Sequence, residues 1–167
     1  MKKYKGLLIL SLVIAIITGV VFSIIAVNKK EYTNEYSAEE LYKYVSENFS
    51  TVDGMKVLDN DIILEFTDEK PSYLDSYSVY KSNNAKNVNE IGIFKVEGTH
   101  LNDMKIIIEK YVSNLKASYT NMNYFPEEIE KINFSTVRIF GNYVIYSFLN
   151  EKDSKAFYEQ VNNILKK

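Results

Sequence analysis

Twenty-one consecutive residues, Leu7 to Val27, carry no charge: LLILSLVIAIITGVVFSIIAV. At about 1.5 Å per helical residue this run matches a hydrocarbon core of ~30 Å, which predicts a membrane-spanning helix. Ser11, Thr18 and Ser23 can bond back to helix carbonyls, and isolated glycines are tolerated in such helices. A cleavable signal peptide has a shorter apolar region of about 7–15 residues and a small-x-small cleavage site. Ile24 and Ala26 approximate that site poorly, so the segment is read as an uncleaved anchor. Lys2, Lys3 and Lys5 precede it, and Lys29 and Lys30 follow next to Glu31, a bias that places the N-terminus in the cytoplasm. The predicted layout is a cytoplasmic segment 1–6, a span 7–27, a polar tether 28–36 and an extracytoplasmic domain 37–167. The tether is too short to hold that domain far from the bilayer.

Beyond the tether the apolar positions change period several times. Ser37 and Glu40 form a capping box, and Leu41, Val45 and Phe49 then recur every fourth residue, predicting an amphipathic helix to about Phe49. Asp53-Gly54 signals a turn. Asp59 to Phe66 fits neither the helical nor the strand period and stays open between them. Tyr73 to Lys81 mixes Tyr and Val with Ser and reads as an edge strand. Val88 to Val96 is almost continuously apolar and reads as a central strand, with Gly92 marking close approach by a packed helix. Thr99 is expected to cap the longest helix, whose stripe runs through Leu101, Met104, Ile108, Tyr111 and Leu115 to about Tyr119. Pro126 opens a short helix with acids in its first turn. Phe134 to Phe140 and Tyr143 to Leu149 form two strands around the hairpin dipeptide Gly141-Asn142. Asn150 caps a last helix carrying Phe157, Val161, Ile164 and Leu165 on one stripe.

These elements predict an α+β fold: an N-terminal transmembrane helix followed by a mostly antiparallel four-stranded sheet packed with helices. On the strand after the turn, Val144, Tyr146 and Phe148 face one side and Tyr143, Ile145, Ser147 and Leu149 the other, so both faces are largely apolar. Either helices cover both faces, the favoured reading, or one face is kept for a partner.

Charge and composition narrow the chemistry. The 167 residues have a formal net charge of −2, but the first thirty contain five lysines and no acid. The remainder therefore carries 15 basic and 22 acidic side chains, a net of −7, which is a poor match for a phosphate backbone and argues against nucleic-acid binding. There is no Cys and a single His, so a disulfide framework, a thiol nucleophile, a Cys-ligated metal and a multi-His metal site are excluded. No cofactor is expected.

Four constellations suggest chemistry. His100 with Asp103 could orient a serine, but no nucleophile elbow or oxyanion loop accompanies them, and a first-turn helix residue explains His100 as well. Asp59-Asn60-Asp61 opens like a calcium loop and fails where Ile63 and Leu64 replace the required ligand and glycine. Glu127, Glu128 and Glu130 are carboxylates of the kind a glycosidase needs, yet they sit where acids favour a helix N-terminus. Tyr73 and Tyr77, on one face of their strand, with Tyr143 and Ile145 of the hairpin, are the candidate ligand or partner surface; no catalytic residue is assigned.

The succession ELYKYV, LDNDIILEF, a Tyr-rich segment, NEIGIFKV, a long Lys/Glu helix, YFPEEIEK and GNYVIYSF resembles a family of uncharacterised domains. Those domains occur in extracytoplasmic lipoproteins or anchored proteins of Gram-positive, spore-forming bacteria. The resemblance spans about residues 37 to 166 and implies location and fold type; it carries over no site residues. This chain has an anchor where such lipoproteins have a lipobox Cys. The functional expectation is a non-enzymatic, membrane-anchored structural or interaction module of the cell envelope, with an envelope protein as its partner. The alternatives are a glycan- or peptide-binding domain using the Tyr-rich edge and a carboxylate-dependent hydrolase.

Overall fold

Ser37 caps the first described helix as the capping box requires. Its hydroxyl accepts the Glu40 N–H at 3.2 Å, and the Glu40 carboxylate accepts the Ser37 N–H at 2.7 Å. These bonds satisfy two amides that a helix start otherwise leaves without partners, and they hold the Glu40 carboxyl below its ordinary pKa. The computed structural model describes residues 32–47, 49–52, 54–58, 71–121 and 125–167. The predicted span Leu7–Val27 and the ambiguous segment Asp59–Phe66 lie outside the described residues. Among the described residues no helix is long and apolar enough to cross a membrane.

Four helices are described: α1 (Ala38–Ser46), α2 (Leu101–Asn121), α3 (Pro126–Asn133) and α4 (Glu151–Leu165). The strands are β1 (Met55–Val57), β2 (Leu74–Ser82), β3 (Glu90–Val96), β4 (Val137–Phe140) and β5 (Tyr143–Phe148). They form one sheet in the order β1-β2-β3-β5-β4, and every neighbouring pair is antiparallel. The α+β class and the antiparallel sheet stand. The strand number changes from the expected four to five, because β1 has three residues and is too short to display a period. Met55, Lys56 and Val57 pair with Ser82, Lys81 and Tyr80. β1 thereby takes the edge position expected for β2, which lies inside the sheet.

Three local expectations also change. The close approach at Gly92 is made by rings of the sheet itself: a Cβ there would lie 2.7 Å from Tyr146 Cζ and 2.9 Å from Phe94 Cε2, so neighbouring aromatic rings take its missing side-chain space. Thr99 makes no capping bond, because Gly98–His100 is a 3-10 turn preceding α2. Phe134 to Thr136 are not strand: Phe134 caps the end of α3, donating its N–H to the carbonyls of Glu130 and Ile132. The end of the presumed tether is also held, since the Thr33 N–H donates to the Leu165 carbonyl at 2.8 Å and Tyr32 bridges to Lys166.

The Gly141-Asn142 hairpin and the Asn150 cap form as expected. Gly141 adopts φ 57°, and Asn150 Oδ1 accepts the Asp153 N–H at 2.8 Å. Both sheet faces are covered by helices. On one face Ile91, Ile93, Tyr143 and Ile145 pack with Leu41 and Val45 of α1 and Phe157 and Val161 of α4. On the other, Phe94, Val144, Tyr146 and Phe148 pack with Met104 and Ile108 of α2 and Ile132 of α3. Each such side chain contributes about 1.5–3 kcal/mol on full burial, so this double-sided core outweighs any single polar contact in the domain.

Candidate functional site

The four residues of the predicted surface are not brought together. Tyr73 and Tyr77 lie half-buried on the α2 side of the sheet, whereas Tyr143 and Ile145 face α1 and α4 and are 0% exposed. β5 is the fourth of five strands, and helices cover both of its faces, so its alternating side chains all point into core. Tyr77 packs against its cross-strand partner Phe94, with ring centroids 6.3 Å apart. Tyr73 stacks on the His100 imidazole at 4.4 Å, and His100 Nδ1 lies 3.2 Å from Asp103 Oδ2. Burial, with Asp103 beside it, raises the pKa of the Tyr73 hydroxyl. Imidazole, carboxylate and phenol therefore meet at the exposed start of α2.

Tyr143 serves the fold instead of a partner. Its hydroxyl donates to the Tyr36 carbonyl at 2.7 Å, and burial pushes its pKa up to about 12. Burial also raises Tyr146 and Tyr158 above the usual phenol value. Neutral phenol is thus favoured in the folded state. Their contribution to stability is complete below about pH 10, the ordinary phenol value, and is lost as pH rises through the folded values. The urea midpoint should hold steady with respect to these groups up to about pH 10 and fall between there and pH 12. Tyr143→Phe should make that fall shallower; an unchanged alkaline limb in this variant would assign the loss to other groups.

The most organised polar cluster was missed in the sequence. Glu90, at the head of central strand β3, is buried. Its Oε1 accepts from Tyr146 at 2.6 Å and from Tyr111 at 2.9 Å, and its Oε2 lies 3.4 Å from Lys81 Nζ. The signal was available: an acid opening an otherwise apolar central strand must find partners, because an unpaired buried carboxylate is very costly. Glu128 on α3 has a similar role. It accepts the Val88 N–H at 2.8 Å and pairs with Lys131, which also donates to Asn89 at 3.0 Å. Glu90 thus ties the start of β3 to β5 and α2, and Glu128 ties the first turn of α3 to the segment entering β3. Asp59 and Asp61 lie outside the described residues. Among the described residues no group of three or more His, Asp or Glu is placed to hold a metal ion.

Among the described residues, a groove of about 410 Å³ lies between α2 and β4, and a second cavity of about 300 Å³ is lined by Glu127 and Glu130 of α3 with Asn150 and Glu151 at the start of α4. Glu109, Val112, Ser113 and Lys116 line the groove from the helix, and Ser135 and Val137 from the segment entering the strand. Lys116 donates to the carbonyls of Asn133 and Ser135 at 3.5 and 3.4 Å, tying the end of α3 to α2. β4 is the last strand of the sheet, and Ile139, on the same face as Val137, is 37% exposed.

A family model described as a domain of unknown function, DUF4358, matches residues 47–149, a narrower stretch than the 37–166 over which a resemblance was expected. No curated protein and no solved structure matches the chain.

Proposed function

We propose that this chain, which belongs to the DUF4358 family of domains of unknown function, is a single-pass membrane protein whose α+β domain lies outside the cytoplasm. There it acts by contact with another component of the cell envelope and not by catalysis. The observation that carries this reading is the uncharged run from Leu7 to Val27, flanked on its N-terminal side by Lys2, Lys3 and Lys5. The use of Glu90 and Glu128 as hydrogen-bond partners within the fold supports the non-enzymatic part of the reading.

Protease treatment of intact cells tests location. A tag at the C-terminus should be removed from outside, while the mature protein keeps Met1 to Val27. A tag cleaved only after lysis would reverse the orientation, and a mature N-terminus near Asn28 would show that the segment is a leader and not an anchor.

A further inference from the structure

We infer that the outer edge of β4, with the groove beside it, binds an extended segment of a partner protein of the pattern apolar–acidic–apolar, which adds to the sheet as a sixth strand. The inference specifies the contact surface of the interaction module proposed above and does not depend on its anchoring.

The hydrogen-bonding pattern of the hairpin sets which groups are available. Phe140 and Tyr143 close the two-residue turn, and antiparallel ladders alternate between residues that exchange both bonds and residues that exchange none. Phe140 and Arg138 therefore spend their backbone groups on β5, and those of Val137 and Ile139 point away from it. Among the described residues these outward groups have no other backbone partner. Natural edges are commonly guarded by charge. The only charge on β4, Arg138, is instead laid over the Tyr158 ring on the α4 side, 4.3 Å from its centroid.

An extended peptide is the occupant whose backbone matches two outward N–H and C=O pairs spaced two residues apart. Residues paired with Val137 and Ile139 put their side chains on the α2 face, over the groove walled by Val112 and Val137. Apolar residues suit those places. The residue between them falls opposite Arg138 on the other face, where an acid is favoured. A second copy of this chain fits less well. The antiparallel register that uses both outward residues of each β4 sets Arg138 directly opposite its own counterpart, a like-charge cross-strand pair.

The test uses the full chain in detergent micelles and the fluorescent, end-blocked peptide SVEVS, followed by anisotropy. Saturable binding below about 1 mM is expected. Methylating both valine nitrogens in the peptide should abolish it, because the strand bonds are lost. Arg138→Glu should weaken SVEVS about tenfold and bind SVKVS in its place. Ile139→Glu, at an exposed position with little folding risk, should also release the peptide. Absence of saturable binding overturns the inference, as does equal affinity of Arg138→Glu for the two peptides. A chain that cross-links to itself through β4 and takes no peptide also overturns it, in favour of a homotypic edge. A failure here leaves the outcome of the tag experiment untouched, so the two readings fail separately.

Discussion

Gly92→Ala is expected to destabilise the domain by about 3 kcal/mol or more, the upper range for overpacking a core. The added Cβ would overlap Tyr146 Cε1 and lie 2.7 Å from its Cζ, within the tightest part of the sheet. Tyr146 cannot yield cheaply. Its ring is fully buried between Phe94 and Phe148, and its hydroxyl is held by Glu90 at 2.6 Å. Backbone movement is no easier, since Gly92 pairs with Val79 on one side and Tyr146 on the other. Urea unfolding of the Tyr32–Lys167 unit, which is compact in its own right, measures the effect. Adding Tyr146→Leu should make the double variant less damaged than the sum of the two single changes, because the second substitution removes the colliding ring. A Gly92→Ala domain that unfolds at the parent's midpoint would mean that the Tyr146 ring does not occupy the glycine's side-chain space.

Glu90→Leu is expected to cost about 2–4 kcal/mol, from the buried hydroxyl of Tyr146 and the part-buried hydroxyl of Tyr111 losing their shared acceptor. Lys81 contributes less to that cost, because its side chain is 37% exposed and water can serve its charge. Removing Glu90 together with both hydroxyls should be milder than removing Glu90 alone. Glu90→Leu combined with Tyr111→Phe and Tyr146→Phe leaves an apolar end to β3, and such replacements of buried polar sets are often neutral or stabilising. Recovery of the urea midpoint in the triple variant would assign the cluster a register-specifying role. A triple variant worse than Glu90→Leu alone would show that the hydroxyls have other essential partners.

Local chemistry was legible wherever the determinants lie within a few residues. The Ser37/Glu40 box, the Gly141-Asn142 turn, the Asn150 cap and the Pro126 start each close within about four positions, and each forms as read. The long helix was equally clear, because Met104, Ile108 and Val112 repeat over enough turns to display their period. The α+β class follows from that order of elements, as does the sheet's antiparallel character.

What only the tertiary structure decided depends on groups far apart in the chain. β1 has no period of its own and exists because β2 offers it an edge, so the strand number and the interior position of β2 were hidden together. Gly92 announced close approach, but its neighbour is Tyr146, fifty-four positions on and brought opposite by the β3–β5 register. Tyr143 and Ile145 looked like surface candidates on a two-sided apolar strand, and α1 and α4 cover them. The groove beside β4 has the same origin: α2 and the 135–137 segment are each ordinary in sequence, and the space between them is set by how a helix seats on the end of a twisted sheet. Short-range hydrogen bonding and periodicity are written along the chain, whereas burial and edges are properties of which elements become neighbours.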